Sequence, residues 1–321
     1  ALRGNLDLVA VRREVEAAAA LRDQAARRLN PSVSYDVEQV RSGMRADSVA
    51  VSVPVELGGK RAARITVADR ASGAANAEVA LRAAELRAAA IQFFADALAA
   101  QEREQFARDS VALARRALDV ATRRVLAGRV SPVEQTRAQV AEAGARIEAS
   151  QAAAELAAAR QRLAALLGEP TPTFGALAGS LDALPEPPSE AQLDARLAQA
   201  PALARARAEI AQREALAALA RTQRIPTVAV TAGTRTLAET GQRAASLGLA
   251  LAVPIFDANQ GNIREAQVRT EQARQQLEAA ALRLRAEALA AWERLAAARR
   301  EAALVRSEAL PGAASALEAA T

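Results

Sequence analysis

The chain has 321 residues, enough for one large or two ordinary domains; 51% of them are apolar but only 2% are aromatic. Alanine and leucine supply most of that apolar content beside Arg, Glu and Gln, which suits long, closely packed helices better than a globular core. Cysteine and histidine are both absent, which excludes disulfides, thiol nucleophiles, the commonest general base and the commonest metal ligand.

The net charge of +5 arises almost wholly from arginine, interleaved with acids. That pattern points to solvated helix faces and away from nucleic acid, which needs clustered cations. No run of 18 apolar residues is present, so no transmembrane helix is expected. Ala1 opens directly in helical sequence without a signal-peptide pattern, which leaves a cytoplasmic location or numbering that starts after processing.

In chain order, Asn5 reads as the N-cap of a helix over 6–29, which Asn30-Pro31 ends because the residue before proline leaves the helical region. Two alternating segments follow, 32–40 and 48–55, joined by a connection at 41–47 containing Ser42-Gly43, so a β-hairpin over 32–55 is predicted. From 60 to 126 the chain is nearly unbroken helix former, a rod of roughly 100 Å. Gly128 fits the left-handed position after its C-terminus. Ser131-Pro132-Val133-Glu134 then reads as a capping box opening an antiparallel helix that ends at Gly168.

The stretch 169–188 is rich in proline and glycine and reads as a linker. Ser189 to Gln192 forms a second capping box, opening a helix expected to reach 224. Alternating segments at 227–235 and 245–253 make a second hairpin over 227–254, with its loop at 237–243. Asn262 with Glu265 is expected to cap a last long helix reaching toward Ala320. The order helix, hairpin, long helix recurs after about 200 residues, so 1–168 and 189–321 read as two structural repeats, the second expected to be truncated before its helical tip.

Both hairpins place apolar side chains, nearly all aliphatic, on one face: Val33, Tyr35, Val37, Val49, Val51 and Val53 in the first, Val228, Val230, Leu247, Leu249 and Leu251 in the second. A soluble sandwich would show the same alternation, but no further strand-like segment exists to cover these faces. Lipid would satisfy them, since membrane strands need about 9–11 residues. Lipid also admits no open sheet edge, and four strands cannot close a barrel, so such a chain must oligomerise. On this reading Pro54 and Pro254 end strands near the membrane surface, and Gly58-Gly59 and Gly261 turn the chain into helix.

The pattern resembles the TolC-type outer-membrane efflux proteins, in the CzcC-like branch serving exporters of cobalt, zinc, cadmium and related cations. The residues that carry the likeness are Asn30-Pro31, the run from Val53 to Arg61, Gly128 with Ser131, Glu134 and Ala138, Leu166-Leu167-Gly168, Val253 to Asp257, and Asn259 to Asn262. The resemblance covers nearly the whole chain. It implies a mixed, mainly α fold: long antiparallel α-helices forming a periplasmic α-barrel, plus two β-hairpins whose four strands contribute to a 12-stranded transmembrane β-barrel of a homotrimer. It also implies an outer-membrane location in a Gram-negative bacterium and a passive duct docking on a periplasmic adaptor and an RND-type inner-membrane pump. No cofactor, nucleic acid or enzymatic activity is implied. Family gate residues would lie beyond Thr321, and the N-terminal cysteine that anchors some members is absent from this sequence.

The eleven aliphatic-face residues are expected to contact lipid, and Asp36 and Glu38, on the polar face, to line the lumen or simply to be solvated. Arg124, Gly128, Arg129, Ser131 and Glu134 are expected to form the adaptor-docking tip; Arg123, Arg124 and Arg129 would equally serve the helix dipole. Gly58-Gly59-Lys60-Arg61 lacks the Ser/Thr of a phosphate loop and reads as a turn. Phe93, Phe94, Phe106 and Trp292 read as packing residues. No catalytic or metal constellation is visible. The rival class, a soluble or periplasmic coiled-coil adaptor or scaffold, would lack a reason for two aliphatic-faced hairpins.

Overall fold

A computed structural model describes residues 4–38, 45–181, 186–237 and 240–320. Its elements are α1 (Leu6–Ala25), β1 (Ser32–Glu38), β2 (Ala46–Glu56), α2 (Lys60–Leu126), α3 (Pro132–Leu167), α4 (Glu190–Ala198), α5 (Pro201–Thr222), β3 (Thr227–Leu237), β4 (Arg243–Leu251), α6 (Gln260–Leu304) and α7 (Leu310–Ala320), with a π-helical turn at Val305–Ala309. No described helix is long and apolar enough to cross a membrane. The chain divides into two compact units that cut across the sequence repeats. One comprises Ala1–Ala10, Arg82–Ser189 and Ala290–Thr321, the other Val11–Leu81 and Glu190–Leu289.

In the first unit, α2 and α3 meet through small residues. Ala97, Ala100, Leu156, Ala159 and Leu163 form a buried cluster against which Phe93, Phe174 and Leu177 pack. Phe174 and Leu177 belong to the stretch expected to be a linker; it carries no helix or strand among its described residues, and this part of it packs on the helices as a strap. Gln101 holds it by donating to the Leu177 carbonyl at 3.0 Å and accepting from the Leu177 N–H at 2.9 Å. The Trp292 indole N–H donates to the Pro188 carbonyl at 2.8 Å, which satisfies its one polar atom. Asn5 caps α1 as expected: its Oδ1 accepts from the Leu8 N–H at 3.0 Å, while its Nδ2 reaches the Leu166 carbonyl at 3.1 Å. Phe106, expected to pack, is 74% exposed, because the face of α2 that carries it has no partner among the described residues.

The second unit contains one four-stranded antiparallel sheet in the order β1-β2-β3-β4. The two predicted hairpins therefore lie side by side, joined by β2 and β3, and β1 and β4 are left as edges. Residues 39–44, including Val40 and Met44, and 238–239 in the second loop lie outside the described residues.

Five expectations need correction. Helix α1 ends at Ala25, four residues before position 29. Its last carbonyls are taken by guanidinium donors from α2: Arg64 reaches those of Ala25 and Arg27 at 3.2 Å, and Arg61 reaches that of Ala26 at 2.9 Å. The helix expected over 189–224 breaks at Ala200, which is extended (φ −59°, ψ 135°), because Pro201 cannot continue the preceding turn.

Pro54 does not end its strand. Strand β2 runs on to Glu56, and Pro54 pairs only with Ala229, since pairing with β1 stops at Ser32–Ser52; no partner on that side needs its missing N–H. At the second hairpin β4 ends at Leu251, short of Pro254. Finally, the chain enters α6 through Asn259 at φ +59°, not through Gly261, and Asn262 lies inside the helix, bonded to Asn259 Oδ1 at 2.6 Å. The long C-terminal helix reaches Ala320, but the π turn interrupts it just before Pro311, which has no N–H to offer Ser307.

Candidate functional site: a two-faced sheet and a helical turn

Side chains opposite one another in an antiparallel pair share a face, so the register sorts the sheet. Val55, Val228 and Leu251 form one row; Val53, Val230 and Leu249 the next; Val33, Val51, Ala232 and Leu247 a third; Tyr35, Val49, Thr234 and Ala245 a fourth. All eleven residues expected to share a face do so. They are not the core of this chain: Leu247 is 82% exposed, Leu249 72% and Val33 71%. The four rows span about 20 Å along the strands. Val37 opens a fifth row whose other members are Asp47, Thr236 and Arg243, so the apolar band ends there. Tyr35 stands at this border and donates its hydroxyl to Asp47 at 3.3 Å, and Asp47 also accepts from Arg45 at 3.0 Å.

The opposite face carries Ser34, Asp36, Glu38, Ser48, Ala50, Ser52, Thr231, Gly233, Arg235, Ser246, Gly248 and Ala250, with Ala46 and Leu237 beside Glu38 at its loop end. Its groups bond across strands: Thr231 Oγ1 donates to Ser52 Oγ at 3.1 Å, and Arg235 meets Glu38 at 2.6 Å. Asp36 and Glu38 thus share this small, polar face, as expected.

Both strand-to-helix passages use the same device. At the first, Gly58 and Gly59 take φ of +68° and +74°. A side chain at Gly58 would collide with Ile225, so glycine is required there for closeness as well as for φ. Lys60 then donates to Thr227 Oγ1 at 2.9 Å, and Arg64 pairs with Glu56 at 2.5 Å. That hydrogen bond to Glu56 holds the Arg64 guanidinium above its usual pKa against the opposing effect of burial. At the second passage Asn259 donates to the Ala220 carbonyl at 2.8 Å and to Gln223 Oε1 at 3.1 Å. In each case a polar side chain at the start of the outgoing helix grips the end of the helix that preceded the hairpin.

The turn between α2 and α3 is a Schellman motif: Gly128 (φ +66°) donates to the Val125 carbonyl and Arg129 to the Arg124 carbonyl, both at 2.9 Å. Ser131 caps α3 by accepting from the Val133 N–H at 3.4 Å, with Pro132 as the first helical residue. The expected capping box does not form: the Ser131 hydroxyl takes the N–H of Val133 and not that of Glu134. Glu134 reaches forward to Arg137 at 2.8 Å, because an arginine three positions on competes for its carboxylate. Arg123, Arg124 and Arg129 are all exposed. So are two apolar residues the spacing does not single out, Leu126 at 83% and Val133 at 55%. Among the described residues no group of three or more acids stands where a metal ion could be held.

Comparison with known proteins gives this geometry its context. The model of the family described as outer membrane efflux protein matches residues 1–169. The chain is 37% identical over 292 residues to the cobalt-zinc-cadmium resistance protein CzcC of Cupriavidus metallidurans, covering 91% of this chain and 70% of that protein. It is 32% identical over 279 residues to the nickel-cobalt-cadmium resistance protein NccC of Alcaligenes xylosoxydans, covering 84% of this chain but only 62% of that one. A solved membrane protein from Pseudomonas aeruginosa shares the fold with a TM-score of 0.80 at 20% identity, covering 99% of this chain and 81% of its own. The chain belongs to the outer membrane efflux protein family.

Proposed function

We propose that the chain is one protomer of a homotrimeric exit duct in the outer membrane of a Gram-negative bacterium. Its four strands supply a third of a 12-stranded barrel, and its helices continue the duct through the periplasm. One observation carries this reading: the register collects the large aliphatic side chains of the sheet, apart from Leu237 at the loop end of β3, on one exposed face, while β1 and β4 remain as edges. In lipid that face is satisfied, and the edges pair with those of neighbouring copies, so that no backbone group stays unpaired in hydrocarbon.

The duct is passive, receives its cargo from an RND-type inner-membrane pump through a periplasmic adaptor, and carries heavy-metal cations, as the names of the relatives indicate. The turn from Arg124 to Glu134, separated from the sheet by the 67 residues of α2, is the adaptor-docking tip. The eleven residues of the apolar face contact lipid, with Tyr35 and Val37 at its border, and Asp36 and Glu38 line the lumen. Imaging of the purified, detergent-solubilised protein tests the proposal. Threefold particles with a barrel at one end of a helical tube support it; monomers soluble without detergent refute it.

A further inference from the structure

Where α1 gives way to β1, the second unit carries uncompensated positive charge. Arg27 and Arg28 are both exposed, and among the described residues neither side chain has a hydrogen-bond or ion-pair partner. Of the nearby acids, Glu56 pairs with Arg64 and Asp69 with Arg22; Asp23 forms no ion pair among the described residues and offsets only one of the remaining cations. Arg61 adds a further cation, because its guanidinium bonds to the Ala26 carbonyl and not to a carboxylate.

Arg27, Arg28 and Arg64 line one open hollow of about 330 Å³ together with Leu21 and Leu29. Both leucines are exposed, at 66% and 46%. The hollow therefore offers planar hydrogen-bond forks for an oxyanion beside apolar surface. Its place is also telling. Arg28 is four positions before Ser32, so it lies within about 14 Å of the strand's start. Counting back by two from Val33 reaches Pro31 and Leu29, which continues the aliphatic pattern of the sheet to this rim.

We propose that Arg27 and Arg28, with Leu21 and Leu29, bind the phosphate headgroup of an anionic phospholipid at the helix-side rim of the sheet. Guanidinium forks match phosphate oxygens bidentately, and the leucines meet the first methylenes of the acyl chains. A free phosphate would satisfy the arginines but leave both leucines in water, which favours the lipid. The proposal rests on the aliphatic sheet face being the lipid-contacting one.

Native mass spectrometry of the detergent-solubilised chain, mixed with equal amounts of phosphatidylglycerol and phosphatidylcholine, tests it. The unaltered protein retains phosphatidylglycerol in preference. A basic residue at an anionic lipid surface is worth roughly fivefold, so Arg27→Gln with Arg28→Gln lowers the preference by about 25-fold. Arg27→Lys with Arg28→Lys keeps the charge without the forks and so retains only part of it, and Arg299→Gln with Arg300→Gln leaves it intact. Equal retention of the two lipids by the unaltered protein overturns the proposal, as does an unchanged preference in the glutamine variant. Displacement of the lipid by an equal concentration of inorganic phosphate would assign the hollow to free phosphate and overturn it too. Retention of neither lipid, in a protein soluble without detergent, would remove the lipid-facing sheet along with it.

Discussion

Glu38 and Arg235 form an ion pair at 2.6 Å although 197 positions separate them. The pair joins β1 to β3 across the width of β2, which is possible only because the two hairpins form one sheet. Both side chains are about half exposed, so the pair contributes at most about 1 kcal/mol to stability.

Its consequence is electrostatic. Arg235 neutralises Glu38 and, among the described residues, leaves Asp36 without an ion-pair partner near the loop end of the polar face. In planar bilayers Asp36→Asn and Glu38→Gln should each move the reversal potential toward anions, the second by freeing Arg235. At 1 M salt, where screening acts over about 3 Å, both shifts should vanish. Shifts that persist at high salt would place these residues outside a wide aqueous lumen.

Leu249 lies in the row with Val230 and Val53, in the interior of the aliphatic band. Leu249→Arg should cost roughly 2–4 kcal/mol if that row is near the bilayer midplane. Ala250→Arg should be tolerated, and so should Gly248→Arg, whose Cβ would find its nearest neighbour, Thr231 Cβ, 4.0 Å away. Denaturant titration of the three variants refolded into lipid vesicles reads the difference directly.

Much of this architecture is legible in the residues because glycine and proline punctuate it. Lys60, Leu126, Pro132 and Leu167 bound α2 and α3 as predicted, fixed by Gly58-Gly59, Gly128, Ser131-Pro132 and Gly168. Alternation likewise sorts the sheet faces, since one-residue slips would expose every aliphatic on the wrong side. The break at Pro201 is hidden because its flanks are strong helix formers. The strap that carries Phe174 and Leu177 reads as a linker because a prolyl segment shows no periodicity even when its apolar residues pack. Arg27, Arg28 and Leu126 are single residues outside any repeat, and only their exposure and lack of partners mark them.

Gly128 has a φ of +66°, and a Cβ added there would meet nothing within 4 Å. Gly128→Val therefore carries backbone strain alone, about 1–2 kcal/mol, and Gly128→Asn less, because asparagine tolerates the left-handed region. The valine variant should keep its thermal midpoint within a few degrees yet lose crosslinking from a cysteine at Arg129 to the co-expressed adaptor. Undiminished crosslinking, or capture of lipid alone at that position, would remove the tip from the docking surface.

Cargo selection should lie outside this chain. A selective site for zinc or a softer metal wants imidazole or thiolate ligands, and the chain has no histidine, no cysteine and a single methionine, Met44, which lies outside the described residues. Calorimetry of zinc, cobalt and copper with the purified protein at neutral pH should give no stoichiometric heat at micromolar affinity. A tight one-to-one isotherm would make the duct a participant in selection.

The two-faced sheet is the centre of the account, and a spin-label scan along β4 in reconstituted membranes tests it most directly. Labels at Leu247, Leu249 and Leu251 should respond to oxygen dissolved in lipid, and labels at Ser246, Gly248 and Ala250 to a water-soluble nickel reagent, with a period of two. The reverse assignment, or uniform access to water along the strand, would contradict it.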